Sequence, residues 1–162
     1  MSDETSSATL DYKLALVLLE SFNAQGVMQA WNARLTSMTP GACEISLPMS
    51  AAVTQQHGYF HGGVIGTMAD AAGGYAANTQ LMPVSECLTA EYKINFVAPA
   101  IGDMLIARGK VLKAGKTLVV TSADVFVVNQ GKEKLCAIMQ QTLFVIPKGS
   151  PKVDIAAVDV AA

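Results

Sequence analysis

The sequence predicts an α+β domain in which one curved antiparallel sheet, of about five or six strands, wraps around a single long apolar helix. Three observations support this fold class. Residues 64–79 are mostly small or apolar and include only one charge, as in a buried helix. Residues 43–50 and 88–96 alternate between apolar and polar side chains, as in half-buried strands. Short turns join the later strands, which favours antiparallel pairing.

The chain before the long helix is predicted to form one helix and two strands. Apolar residues recur at helical spacing from Leu10, so a first helix should end near Asn23, with a short turn over residues 25–30. Residues 32–38 are predicted as a strand, which a Pro-Gly turn separates from the strand at 43–50.

The long helix follows a polar loop at residues 51–60. Alanine is frequent in this helix and favours it, whereas Gly73 and Gly74 each lower helix stability by about 1 kcal/mol relative to alanine. Such glycines are tolerable where another backbone packs closely.

Four strands are predicted after the helix, at residues 88–96, 104–113, 117–128 and 133–146. Short turns link them, so they are expected to form an antiparallel meander. The alternation within the first of these strands places Thr89 on its polar face, together with the charged residues. The aromatic residues are expected on the other face.

The length of 162 residues suits a single domain. Its core is expected over about residues 27–146, between loose tails at 1–9 and 147–162. Hydrophobic residues make up 51% of the chain and charged residues only 15%. Part of the apolar surface is therefore expected to be covered by a partner subunit.

Composition argues against several classes of partner. A net charge of −2 with no Lys/Arg cluster provides no long-range attraction to nucleic acid or to anionic membranes. No apolar run reaches the ~20 residues that span a bilayer, and the polar, acidic start is unlike a signal peptide. The three cysteines are odd in number and have no paired spacing, which indicates reduced thiols. We therefore expect a cytoplasmic protein.

The most informative segment is residues 55–63, Gln-Gln-His-Gly-Tyr-Phe-His-Gly-Gly, which Asp70 follows. It resembles the active-site segment of PaaI-type hot-dog thioesterases, in which an amide residue and a glycine precede His-Gly-Gly and an acid follows on the helix. The resemblance extends over about 27–146 and implies a hot-dog fold that hydrolyses an acyl-CoA thioester. Coenzyme A would be part of the substrate, and no cofactor is implied. Further stretches similar to the family are 89–96, 98–100 and 113–117.

Asp70 is the first catalytic candidate, because its neighbours are apolar and the helix shows no evident solvent-exposed face. Burying an unpaired carboxylate costs on the order of several kcal/mol, so its presence calls for a reason. The resemblance implies that Asp70 is either the nucleophile or the general base for water. It also implies that Thr89 orients the acid or the water; a simple strand-forming role is the alternative.

Gly62 and Gly63 stand where the long helix should begin. Free N–H groups at a helix start, aided by the helix dipole, suit the oxyanion that forms when a thioester is attacked. The resemblance favours the Gly62 N–H as the main donor, with Gly63 beside it. Gly62 and Asp70 would lie about 12 Å apart along one helix, too far for both to reach the same reacting atoms. Two antiparallel helices at a two-fold interface would bring them together, which predicts an obligate homodimer with two shared sites.

The loop before the helix supplies further candidates. Gln55 occupies a position where the family more often has asparagine; either amide can hold the thioester carbonyl or the attacking water, and Gln56 is the alternative. His61 is expected to shape the loop through hydrogen bonds, with a general-base role as an alternative. No metal site is predicted, because His57 and His61 lie in a loop without a cysteine or carboxylate cluster nearby.

A hairpin tip with two lysines is expected to meet the phosphates of coenzyme A, with an ordinary solvated turn as the alternative. The predicted substrate-binding residues are His61, Gly63, Gln56, Asn95, Lys113, Lys116 and Thr117. A dimer of dimers is a further hypothesis, because the outer face of the sheet is also expected to be rich in Val and Leu.

Two other functions are open on the same fold, since a fold does not determine a function. One is an acyl-thioester dehydratase, although those enzymes usually carry a catalytic histidine in a different local pattern. The other is a non-catalytic dimer that binds acyl-CoA as a sensor or carrier. Asp70 argues against the second function, because binding alone does not need a buried acid.

Overall fold

The structure, a computed structural model, describes residues 9–149. Most of both predicted tails therefore lies outside the described residues. A six-stranded antiparallel sheet and one long helix dominate the fold, as predicted for the α+β class. The elements after the first two helices are β1 (Arg34–Thr39), β2 (Ala42–Pro48), α3 (Gly62–Leu81), β3 (Ser85–Phe96), β4 (Met104–Ala114), β5 (Leu118–Asn129) and β6 (Lys132–Pro147).

Two short helices, α1 (Tyr12–Asn23) and α2 (Gly26–Ala30), precede the sheet. Helix α1 begins two residues after Leu10, because the Asp11 carboxylate accepts hydrogen bonds from two N–H groups of the first turn. The Phe22 ring is fully buried and packs edge-on against Tyr75 of α3. This contact fixes α1 beside the long helix.

The strand order across the sheet is β1-β2-β4-β5-β6-β3. Strands β4 to β6 form the predicted meander, whereas β3 lies beside β6 at the far edge and not beside β4. The prediction of one meander was therefore wrong for β3, because the chain crosses the sheet along α3 before it forms this strand. Within residues 9–149 the outer edge of β3 has no partner strand.

Helix α3 packs on one face of the sheet, called the inner face here. Met68, Ala69 and Ala72 are fully buried against it. A Cβ atom at Gly109 of β4 would overlap the carbonyl oxygen of Ala72 and lie 2.6 Å from the Gly73 nitrogen. The close backbone approach that would make both glycines tolerable is found at Gly73, where Gly109 makes it possible, whereas a Cβ atom at Gly74 would meet none of the described residues within 4 Å.

One side of α3 is open in the single chain. Gly63 is exposed, and four further residues at helical spacing are half-buried: Thr67, Asp70, Gly74 and Asn78. We call these five residues the open stripe. The expectation of a helix without a solvent-exposed side was therefore wrong for one copy of the chain. No helix within residues 9–149 is long and apolar enough to span a membrane.

The outer face of the sheet is mixed in character, and the expectation of a Val- and Leu-rich face holds only in part. Arg108 pairs with Glu44 at 2.7 Å and with Glu133 at 2.6 Å, and its guanidinium lies 4.9 Å from the centre of the Phe126 ring. Arg108 holds the pKa of Glu133 below its usual value through hydrogen bonding. Ion pairs as exposed as these add little stability.

Candidate active site

Asp70 lies on the open stripe of α3, half-buried beside β3. The Thr89 hydroxyl donates a hydrogen bond to its Oδ1 atom at 2.6 Å. The side-chain amide of Gln141 donates to the same oxygen and, at 2.9 Å, to the Thr89 hydroxyl. Within the described part of the chain, the second oxygen, Oδ2, has no hydrogen-bond partner. The carboxylate is therefore held through one oxygen, and the other is available to water or substrate.

A β-bulge brings Thr89 to this position. In the pairing of β3 with β6, Thr89 lies opposite Leu143 and Glu91 opposite Thr142, so Ala90 is an extra residue. The bulge reverses the alternation, and both Thr89 and Tyr92 face α3. The prediction that Thr89 shares a face with the charged residues of this strand was wrong for that reason.

Gln141 and Thr121 were not predicted from the sequence. Both side chains are fully buried on the inner face, and the Thr121 hydroxyl donates to Gln141 Oε1 at 2.9 Å. The sequence does contain a signal for Gln141, because it occupies an apolar position of β6 between Met139 and Leu143. A buried amide at such a position needs hydrogen-bond partners, and Asp70 is one of them.

The N–H groups of the two glycines at the start of α3 differ in their hydrogen bonding. His61 caps the helix, and its Nδ1 atom accepts a hydrogen bond from the Gly63 N–H at 3.0 Å. Within residues 9–149 the Gly62 N–H has no acceptor. Gly62 therefore presents a free donor at the positive end of the helix dipole, whereas the Gly63 N–H is already engaged.

The loop before α3 is held by its own hydrogen bonds. Gln55 Oε1 accepts a hydrogen bond from the His57 N–H at 2.6 Å, and among the described residues the Gln55 amide group has no acceptor. Gln56 and His57 are exposed. Within residues 9–149 no group of three or more metal-ligating side chains is present.

Four predicted substrate-binding residues lie away from Asp70 in the same chain. Lys113, Lys116 and Thr117 form the exposed tip between β4 and β5, whose strands pack near the carboxyl end of α3. Asn95 points to the outer face of the sheet, where it accepts a hydrogen bond from Lys93 at 2.9 Å. Among the described residues, no hydrogen bond or ion pair joins the hairpin tip to Asp70.

A cleft of about 330 Å³ adjoins Asp70 and Thr89 and continues along the open stripe. Its walls include Leu88, Asn78 and Cys87. Burial, with a smaller contribution from the charge of Asp70, raises the pKa of the Cys87 thiol to about 12. The thiol is thus protonated near neutral pH, which argues against Cys87 as the nucleophile.

Comparisons with known proteins show the family and the fold of this chain. The sequence profile of the thioesterase superfamily matches residues 57–134. A solved thioesterase family protein from Silicibacter pomeroyi is 37% identical, and the match covers 83% of this chain and 98% of that protein with a TM-score of 0.80.

Two more distant structures confirm the hot-dog fold. The E. coli PaaI protein from the phenylacetic acid degradation operon is 24% identical, with 85% of this chain and 96% of that chain covered and a TM-score of 0.74. A Haemophilus influenzae thioesterase is 21% identical, with coverage of 82% and 92% and a TM-score of 0.73. Fold, sequence profile and the 37% identical relative agree: the chain belongs to the thioesterase superfamily and is a thioester hydrolase.

Proposed function

We propose that this chain hydrolyses an acyl-coenzyme A thioester in a site shared by two copies. The observation that carries the proposal is the anchored carboxylate of Asp70, which is bonded through Oδ1 and has Oδ2 free beside a cleft. The Gly62 N–H supplies the second requirement, a free donor at a helix start.

The two groups belong to different copies in this proposal. Gly62 and Asp70 are separated by eight residues of α3, or about 12 Å along the axis. An attacking group and an oxyanion donor must both lie within about 3 Å of the reacting carbonyl. A second, antiparallel α3 that lies along the open stripe would place its Gly62 near the first Asp70.

The free edge of β3 supports a two-fold dimer of this kind. This strand has 12 residues and carries exposed apolar side chains on both sides of the bulge, among them Leu88 and Phe96. A long apolar edge strand promotes uncontrolled pairing unless it is covered. Edge-to-edge pairing of two β3 strands would cover it and would bring the open stripes of both α3 helices to the interface.

The reaction can take either of two courses. As a general base, Asp70 Oδ2 removes a proton from water, and the water oxygen attacks the thioester carbonyl carbon. As a nucleophile, Oδ2 attacks that carbon itself, and water hydrolyses the resulting anhydride. In both courses the Gly62 N–H binds the oxyanion, the C–S bond breaks, and coenzyme A leaves as its thiol after protonation.

The remaining candidates act on substrate binding in this proposal. The free amide group of Gln55 would bind the carbonyl or the water, with Gln56 as the alternative. Lys113, Lys116 and Thr117 would bind the phosphates of coenzyme A, and a dimer of dimers stays a separate hypothesis.

The test is release of coenzyme A from short, medium, long and aryl acyl-CoAs. Asp70→Asn should lower kcat by about 100-fold or more while the protein stays folded and dimeric. Asp124→Asn is a matched control, because this carboxylate lies in a groove on the outer face. The proposal is wrong if no acyl-CoA is cleaved or if the Asp70 variant equals the wild type. An acyl-CoA binding dimer would then be the leading function.

A further inference from the structure

Behind Asp70, two polar side chains are buried in an otherwise apolar layer. Thr121 of β5 and Gln141 of β6 are direct cross-strand partners, and neither has any exposed surface. Their neighbours on the inner face include Val119, Met139 and Leu143. An amide at this depth is unfavourable unless its donors and its acceptor are all bonded.

The bonds of Gln141 have a definite direction. Its amide nitrogen faces the helix and donates to Asp70 and to the Thr89 hydroxyl. Its oxygen lies beside Gly73 of the helix and accepts a hydrogen bond from the Thr121 hydroxyl at 2.9 Å. A reversed amide would set its oxygen against the carboxylate, so the carboxylate selects this orientation, and the Thr121 hydroxyl holds the oxygen end of the amide.

Helix α3 leaves room for this pair at one residue. A Cβ atom at Gly73 would overlap Gln141 Oε1 and lie 2.7 Å from Thr121 Oγ1. Gly73 therefore leaves the space that the Gln141 amide and the Thr121 hydroxyl occupy, whereas the close approach of β4 depends on Gly109. This packing explains why Gly73, a residue type that weakens helices, is present in the turn after Asp70.

We propose that Thr121 is a positioning residue for the hydrolysis of the thioester, although it touches neither the substrate nor Asp70. It fixes the Gln141 amide, and the amide together with Thr89 occupies Oδ1 of Asp70. The free Oδ2 atom is thereby directed at the reacting atoms. This inference rests on the proposed function, since it assigns the carboxylate the catalytic role argued above.

The test compares Thr121→Val with Thr121→Ser. Valine keeps the volume but removes the hydroxyl, so kcat should fall about tenfold while KM stays within about twofold. Serine restores the donor, and kcat should return to within about threefold of the wild type. Ser122→Ala is the control on the same strand, because Ser122 lines the groove of the outer face.

Each outcome decides the inference. It is overturned if Thr121→Val keeps the wild-type kcat, or if serine falls as far as valine, which would indicate packing alone. A wild type that cleaves no acyl-CoA refutes the proposed function instead. Crystal structures of the wild type and Thr121→Val then decide the positioning role: a reoriented Gln141 amide and a moved Asp70 carboxylate support it, and unchanged side chains overturn it.

Discussion

A 2.6 Å hydrogen bond joins the Thr89 hydroxyl to the Asp70 carboxylate, and one extra residue in β3 makes it possible. Without the bulge at Ala90, the pleat would turn Thr89 to the face that carries Glu91 and Lys93. The bulge therefore belongs to the candidate site as much as the side chains do. It also leaves Leu88 62% exposed at the free edge of the strand.

Removing the Thr89 hydroxyl should impair catalysis more than folding. A hydrogen bond to a charged group is worth ~1.5–3 kcal/mol, which corresponds to roughly ten- to a hundredfold in rate. Thr89→Val should lower kcat by this factor, whereas Thr89→Ser, which keeps the donor, should stay close to the wild type. Equal rates for the valine and wild-type proteins at matched melting temperature would show that the hydroxyl plays no part in the reaction.

The sequence predicted the class of fold because two periodic signals were strong. The alternation around Ile45 reflects a strand with one buried face. The apolar run around Asp70 reflects a buried helix. The position of β3 could not be predicted in the same way, since the neighbour of a strand depends on where the intervening helix crosses the sheet. Its pairing with β6 is a long-range contact that no local pattern records.

The candidate site was predicted only in part, for a related reason. Asp70 stood out as a lone charge among apolar neighbours, and Gly62 stood out through the loop motif. Gln141 lies 71 residues from Asp70, and only the packing of helix α3 on the folded sheet brings the two together. The sequence also gives no signal for the bulge at Ala90, because alanine fits a regular strand as well as a bulge.

The oxyanion role of Gly62 can be tested by removing its N–H. Gly62→Pro does this at the first residue of α3, where proline is tolerated in a helix. His61 has φ −65° and ψ 138°, which is the conformation that a residue before proline prefers. We expect kcat to fall by roughly a hundredfold or more, since that is the usual effect of losing one oxyanion donor.

Gly62→Ala is the matched control for this variant. Its Cβ atom would lie 3.4 Å from the Phe96 ring, so it introduces the same contact as proline but keeps the N–H. Steady-state kinetics should show near wild-type kcat for the alanine variant. If alanine and proline lower kcat equally, crowding against Phe96 is the cause and the N–H is not the donor.

The three thiols should be unreactive in the folded chain. Burial raises the pKa of Cys43 and of Cys87 to about 12 and that of Cys136 to about 11. At pH 8 the thiolate fraction of Cys43 or Cys87 is then about one in ten thousand, so attack on a disulfide reagent is slow. Absorbance after addition of such a reagent should rise slowly in buffer and rapidly in guanidinium chloride. Rapid reaction of one thiol in buffer would contradict the raised pKa of that thiol.

A mixture of two inactive chains offers the sharpest test of a shared site. In a heterodimer of Asp70→Asn and Gly62→Pro chains, one site combines the intact Gly62 of the first chain with the intact Asp70 of the second. The other site carries both defects. Purified heterodimers, obtained by co-expression with two different tags, should therefore have about half of the wild-type kcat per dimer, although each homodimer is nearly inactive.

A site contained within one chain makes the opposite prediction. Each subunit of the heterodimer would then carry one defect of its own, and both sites would stay as slow as in the homodimers. Light scattering on the same sample verifies that the protein whose activity is measured is dimeric. Recovery of activity would thus establish that Gly62 and Asp70 act across the interface, and a heterodimer as inactive as its parents would show that they do not act together across it.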